Sequence, residues 1–393
     1  MITSAYTFGR HMGIAALVAC LATVAFAGRA YGQLPMVDEP PLVFGYFQNS
    51  LAYADSDDPD PDNTYFLLQQ LNVILQRDWS PDWTAFVNLE FVNTYSSSRM
   101  TGAFNLEEVW LRHRFSRQLS VKLGLQIPEF NRLNAIKTKT PLLPYIIRPL
   151  AYESSLADVV ALDELVPSQA FVSLYGSIPC RAVKFDHAVY VGNSPNINTD
   201  RSQGQTGVDT SRTFLLGGRL GARTNDIQVG VSGTIDYVDF LQSVRVFLTD
   251  TTTDLREVPR YRLGADARFM AGRFVVEAEA IIVRYDESSP EIHLNKDFYY
   301  ATVMANISDR CVAYIGFWYL EQEVVAVEER GIAFRGLEHG KYRLRIPTAG
   351  AAWTVTDGIV LKAQVGRADQ SVDNKAFTVS EFSYYGVAAS AMF

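Results

Sequence analysis

From Leu42 to the carboxyl terminus the chain carries a repeating period of two, and this constrains its fold more than any other feature. Trp83, Ala85, Val87, Leu89 and Phe91 alternate with Thr84, Asn88 and Glu90. Leu119, Val121, Leu123, Leu125 and Ile127 interleave with Ser120, Lys122, Gly124 and Gln126, and Phe274, Val276, Ala278, Ala280 and Ile282 stand opposite Glu277 and Glu279. Successive side chains of a strand point to opposite faces, so this pattern specifies strands with one apolar face. About sixteen such segments follow one another, an even number of the kind that closed membrane barrels use.

The connections add a second, independent signature. Tight turns fall at Arg77 to Asp82, Ser116 to Gln118, Ile178 to Arg181, Arg223 to Asp226, Met270 to Gly272, Ser308 to Cys311 and Val355 to Gly358. Between them lie long polar links, including Pro128 to Pro167, Gly192 to Ser211, Gln242 to Glu257 and Ala326 to His339. Up-and-down barrels of the outer membrane alternate short periplasmic turns with longer external loops in this way. A soluble sandwich also alternates, but needs neither such long strands nor such lopsided loops. An open sheet would leave unpaired backbone in lipid, so the ends must meet. The expected fold is all-β: a transmembrane antiparallel up-and-down barrel of about sixteen strands, with a long third external loop.

Residues 1–32 read as a signal peptide. Arg10 precedes the apolar run Met12 to Phe26, and small residues follow at Ala25, Ala27, Ala30 and Gly32. Cleavage after Gly32 is preferred over cleavage after Ala27; an uncleaved anchor and acylation at Cys20 are the other readings. A short periplasmic segment, 33–41, then leads into the barrel, 42–393. That apolar run is the only one near twenty residues, which excludes a helical membrane bundle. Hydrophobic residues at 48% and charged residues at 20% exclude disorder. Loss of residues 1–32 removes Arg10 and Arg29 and no acid, so the net charge of -8 becomes -8 - 2 = -10. Nucleic acid is therefore not an expected partner. The predicted location is the Gram-negative outer membrane. At the far end, Tyr385, Val387, Ala389, Ala391 and Phe393 alternate to a final aromatic and resemble the assembly signal through which such barrels engage their insertion machinery.

Two stretches, Leu106-Glu107-Glu108-Val109-Trp110-Leu111-Arg112 and Leu123-Gly124-Leu125-Gln126-Ile127-Pro128, then Phe130, Asn134, Pro141, Pro144 and Pro149, resemble the superfamily of phosphate-selective porins O and P. Asn131 follows Phe130 where that family's pattern has Gly. The resemblance implies a homotrimer of sixteen-stranded barrels in which the third external loop folds inward. Here that link, 128–167, is the longest, and Arg132, Lys137, Lys139 and Arg148 within it are placed to narrow and charge the passage. Alternatively they pair with Glu129, Glu153, Asp158, Asp163 and Glu164 and hold the loop to the wall.

If Leu, Val and Phe mark the lipid face, their neighbours line the lumen. This assigns Arg112, Arg114, Lys122, Lys184, Arg219, Arg223, Arg260, Arg262, Arg268, Lys341, Arg343, Arg345 and Lys362 to the pore. Inward acids are fewer: Glu90, Glu108, Asp186, Asp266, Glu277 and Glu279. Low-dielectric walls focus the field of such charges, so an acidic protein can hold a basic channel. Trp79, Trp83, Tyr95, Tyr237, Tyr285, Tyr299 and Tyr342 are assigned to interfacial girdles, with some packing in the lumen instead. His187 reads outward, as a subunit contact or at headgroup level. Cys180 and Cys311 fall in periplasmic turns with six strands between them, too far apart for a disulfide.

No zinc-protease, nucleophile-elbow, phosphate-loop or Cys-x-x-Cys pattern occurs. The expected function is passive, with neither catalysis nor cofactor: a water-filled channel for small hydrophilic solutes with a weak preference for anions, phosphate among them. Outer-membrane lipid and the solutes themselves are the expected partners. The alternatives are a plugged barrel that binds a surface partner and, behind it, an outer-membrane hydrolase using His113 or His187.

Overall fold

The structure, a computed structural model, describes residues 41–56, 63–92, 103–152, 168–194, 214–238, 258–285, 295–330, 333–373 and 381–393. The signal and periplasmic segments, and Tyr95 and residues 153–167, lie outside the described residues.

Sixteen antiparallel strands form one closed barrel, each paired with its neighbours in sequence. They are β1 (Leu42–Ser56), β2 (Asn63–Ser80), β3 (Trp83–Val92), β4 (Ala103–Arg114), β5 (Ser120–Gln126), β6 (Gln169–Cys180), β7 (Val183–Asn193) and β8 (Phe214–Arg223). The ring continues with β9 (Ile227–Val238), β10 (Val258–Ala271), β11 (Phe274–Tyr285), β12 (Lys296–Ser308), β13 (Cys311–Arg330), β14 (Ala333–Thr356), β15 (Ile359–Val372) and β16 (Phe382–Met392). β1 pairs with β16 from Tyr46↔Met392 to Ser56↔Phe382. Gly45 and Phe393 then exchange both backbone hydrogen bonds, at 2.9 and 3.0 Å. No strand edge is left open, which is what lipid requires of a sheet.

The expected alternation of short turns and long links is observed, with one correction. The link read at 326–339 is instead strand: β13 and β14 pair as far as Arg330↔Ala333, which makes them 20 and 24 residues long. These strands rise well beyond the length that crosses hydrocarbon. The charged run Glu328, Glu329 and Arg330 beside Gly331 reads as loop, while the strand pairing continues through it to Arg330↔Ala333.

The outer face carries an apolar belt. Leu220, Leu263 and Ile315 are 66%, 62% and 65% exposed, values that suit contact with lipid tails. Its upper edge is a row of outward tyrosines, Tyr53, Tyr237, Tyr261, Tyr299, Tyr319 and Tyr385, in which Tyr53–Tyr385 and Tyr299–Tyr319 lie 6.1 and 6.0 Å apart. Trp83 stacks on His113 near the opposite edge, with ring centroids at 4.3 Å. Tyr285 and Tyr342, also expected in girdles, are buried inside the barrel. His187 lies between exposed Phe185 and Val189, in the outward register. Cys180 and Cys311 are free, with β7 to β12 between them.

The seam is tight at Gly45. A Cβ there would lie 2.4 Å from the Asn72 carbonyl oxygen and 2.6 Å from the Phe393 ring. Gly45→Val is therefore expected to prevent closure, seen as loss of the compact, heat-modifiable band when unboiled protein is run in SDS gels, whereas Ala389→Val on the lipid face keeps it.

Candidate functional site

The third external link leaves β5 at Gln126 and turns into the barrel. Phe130, Leu133, Ile146, Ile147, Leu150 and Tyr152 of this link are all buried, and the surface that buries them is the inner wall of β10 to β16. That wall is apolar: Ile281, Val283, Phe298, Tyr300, Trp318, Leu320, Leu344 and Ile346 point inward. The lumen is thus divided. One half is a hydrophobic core shared by loop and wall, and the other, bounded by β3 to β10, is mostly polar, with a small apolar cluster of Phe171, Tyr190 and Leu215 on β6 to β8.

Polar anchors fix the docked loop. Asn131 takes φ 48°, the left-handed region that favours Gly and tolerates Asn. The Asn131 amide reaches toward the carbonyls of Ala265 and Ala280 at 3.5 and 3.3 Å. It lies over Gly264, where a Cβ would fall 2.3 Å from Asn131 Oδ1. Further along, Gln364 Oε1 accepts hydrogen bonds from the backbone N–H groups of Ile146 and Ile147, at 2.7 and 2.9 Å. Lys362 Nζ donates to Gln48 Oε1, Thr140 O and Tyr145 O at 2.8 to 3.1 Å. Glu279 receives the Leu133 N–H at 2.7 Å and the Tyr152 hydroxyl at 2.5 Å.

The bases expected to charge the passage divide by position. Arg112, Arg114, Lys122, Arg219, Arg223, Arg260, Arg262 and Arg268 lie in the inward register, as does Lys184 at the periplasmic rim. Most of them already have partners. Arg260 and Arg262 both clamp Asp236, at 2.5 and 3.0 Å. Arg219 binds Asp266 through two nitrogens, Arg268 binds Glu277, and Arg223 binds Asp186. Lys122 lies 5.4 and 5.7 Å from the Trp110 and Tyr175 ring centres. Lys362 is inward but spent on the loop, so it acts as an anchor and not as an anion attractor.

Lys341, Arg343 and Arg345 require correction, because all three face outward. Tyr342, Leu344 and Ile346 occupy the inner face instead. The rule that apolar residues mark lipid fails on this strand because the docked loop, not water, fills the lumen beside it. Above the tail region the outward charges meet water and each other: Arg343 bridges Glu321 and Asp373 at 2.8 and 2.6 Å, and Lys341 reaches Glu321 at 3.4 Å.

In the loop itself Arg132 binds Glu277 of the wall at 2.6 Å, Lys139 is exposed, and Arg148 donates to the Lys137 carbonyl. The wall opposite these residues holds acids. A bulge in β4, between the pairs Asn88↔Glu108 and Leu89↔Leu106, leaves Glu107 unpaired in the ladder. Glu107 is buried and accepts from Ser168, beside inward Glu90 and Glu108. Burial lowers the Lys137 ammonium to about 8, against the opposing pull of Glu107, Glu90 and Glu108 and reinforced by repulsion from Arg148. Glu107 and Asp236 were missed by sequence reasoning. Asp236 carries a signal, since it sits two residues beyond Thr234 in an inward register; the bulge at Glu107 carries none.

No protein-family model matches the chain, and no curated protein matches its sequence. Solved structures do match its shape. OprB of Pseudomonas putida superimposes with a TM-score of 0.58 at 11% identity, over 91% of this chain and 95% of that one. The outer membrane channel DcaP of Acinetobacter baumannii gives 0.57 at 10% identity, over 90% and 97%. Salmonella typhi OmpF, in complex with daunomycin, gives 0.56 at 10% identity, over 90% and 97%. The fold is that of outer-membrane barrels.

Two outcomes are expected from this geometry. Replacing Lys362 by Met removes two hydrogen bonds from the loop, each worth about 1.5–3 kcal/mol with a charged donor, and should raise single-channel conductance and its noise. Lys137 has a folded value below the usual 10.5, so between about pH 8 and 10.5 the folded state binds fewer protons than the unfolded one. Stability therefore rises with pH through that window. The thermal midpoint of the parent should climb there more than that of Lys137→Met.

Proposed function

We propose that the protein is an outer-membrane porin: a passive, water-filled channel for small hydrophilic solutes, with a weak preference for anions. The observation that carries this reading is the third external link, folded inward and pinned to one side of the lumen while the opposite side stays polar and charged. A loop that only plugged a barrel would have no need of a charged face across from it. Passage along that face brings a solute to Arg112 and Arg114, and low-dielectric walls magnify their field. The likeness in shape to OmpF, OprB and DcaP supports the same reading.

Export through the amino-terminal signal, insertion guided by the strand ending at Phe393, and location in the outer membrane follow from this proposal, as does the absence of catalysis. Assembly as a homotrimer belongs to it as well; one structure of similar fold, OmpT of Vibrio cholerae, is described as a trimer form. Phosphate as the preferred anion is the finer form of the reading, and its support is the stretch from Leu106 to Pro149 that resembles the phosphate-selective porins.

Purified protein in planar bilayers should give stepwise currents, with a reversal potential in a potassium chloride gradient on the anion side. Silent bilayers would defeat the channel, and a cation-side potential the preference. Arg112→Gln with Arg114→Gln should move the reversal potential toward cations, whereas Lys341→Gln with Arg345→Gln, on the outer wall, should leave it unchanged.

A further inference from the structure

Beneath the docked loop, at the periplasmic end of the polar half, the inner faces of β4 to β9 line an open cavity of about 500 Å3. This is the ordinary size for a small organic ligand and more than one tetrahedral oxyanion needs. The inference rests on the channel reading above and concerns what the channel's lower vestibule holds.

The cavity has two unlike ends. Arg112, Arg114 and Arg117 gather at one. Arg114 and Arg117 have no hydrogen-bonded or ion-paired side-chain partner among the described residues. Arg112 donates from Nη2 to Thr84 at 2.7 Å, while its buried Nε has no partner. Elsewhere in the lumen guanidiniums are matched by carboxylates, as at Arg260 and Arg219. Here Arg112 reaches a carboxylate only through Thr84, which donates to Asp78, and Arg114 and Arg117 make no ion pair among the described residues; such planar forks bind the oxygens of a phosphoryl or carboxyl group in pairs.

Across the cavity Arg219 and Arg223 also line it, each already paired with a carboxylate, and Glu129 of the loop faces it with no hydrogen-bonded or ion-paired partner among the described residues. Asp186 is already held by Arg223 at 3.0 Å. Ser177 and Gln228 add uncharged polar groups, and the buried Ser177 hydroxyl has no partner either. A carboxylate in this position repels a second anionic group and accepts hydrogen bonds from hydroxyls. The Tyr175 ring supplies a flat wall between the ends.

We propose that this vestibule binds phosphorylated sugars, the phosphate gripped by Arg112, Arg114 and Arg117 and the hydroxyls received by Glu129, Ser177 and Gln228. A dicarboxylate of similar length fits the volume but sets its far carboxylate against Glu129. Inorganic phosphate satisfies one end and leaves the other unused.

Binding is measured by isothermal titration of detergent-solubilised full-length protein with glucose 6-phosphate, glucose, succinate and inorganic phosphate, and in parallel as block of bilayer current. Glucose 6-phosphate is expected to bind about tenfold more tightly than the other three. Arg114→Ala with Arg117→Ala should abolish that advantage, and Glu129→Gln should raise succinate binding while weakening glucose 6-phosphate. Equal affinity for succinate and glucose 6-phosphate, or variants that bind as the parent does, would overturn the assignment. Calorimetric binding without current would refute the channel and keep the site; current without such binding would do the reverse.

Discussion

Hydrophobic contact between the inward-folded loop and the inner wall of β10 to β16 is the interaction from which the rest of the lumen follows. A barrel of sixteen strands encloses more space than its own side chains fill. In this protein Phe130, Leu133, Ile146 and Leu150 occupy one side of that space and are each at most 2% exposed. Complete burial of such side chains is worth about 1.5–3 kcal/mol apiece, far more than the marginal gain from ion pairs at a wetted surface. The position of the loop is thus set by packing. Charge then determines what its free face presents.

The inner-wall polar groups divide the remaining work. Gln364 and Lys362 satisfy loop backbone groups that would otherwise be buried without partners, a deficit that costs about 1–3 kcal/mol each. Asp236 neutralises one of the two guanidiniums beside it, leaving a net positive cluster held rigidly by short contacts. The result is a wall in which most charges are placed by a partner, and the few unpaired ones are gathered below the loop.

The ring itself was legible in the sequence. Period-two segments, alternating link lengths and a terminal aromatic strand gave strand number, closure and the seam from Leu42 to Phe393, because each reflects a demand of lipid on the backbone. Inside the barrel the inward register read from the sequence matches the structure where the inner face is polar, as on β4, β8 and β10. It failed on β14, where Leu344 and Ile346 looked lipid-facing and Lys341, Arg343 and Arg345 looked luminal. A period of two shows that two faces differ, and the assumption that the apolar one meets lipid breaks down once a distant segment supplies an apolar lumen. The bulge at Glu107 was invisible for a related reason: one extra residue in β4 leaves no trace in composition, yet it puts consecutive glutamates near Lys137.

The attachments of the loop also bear on the order of assembly. Residues 128–152 leave the ladder after β5, but their anchors are Glu279, Gln364 and Lys362, and the last of these also spans to Gln48 in β1. None of these attachments can form until strands from the second half of the chain have taken their places. Contacts so remote in sequence are slow to form. A nascent barrel must therefore pass through a stage in which its interior is hollow and its future core is still wet, and the aperture takes its final width only as the last staves are set.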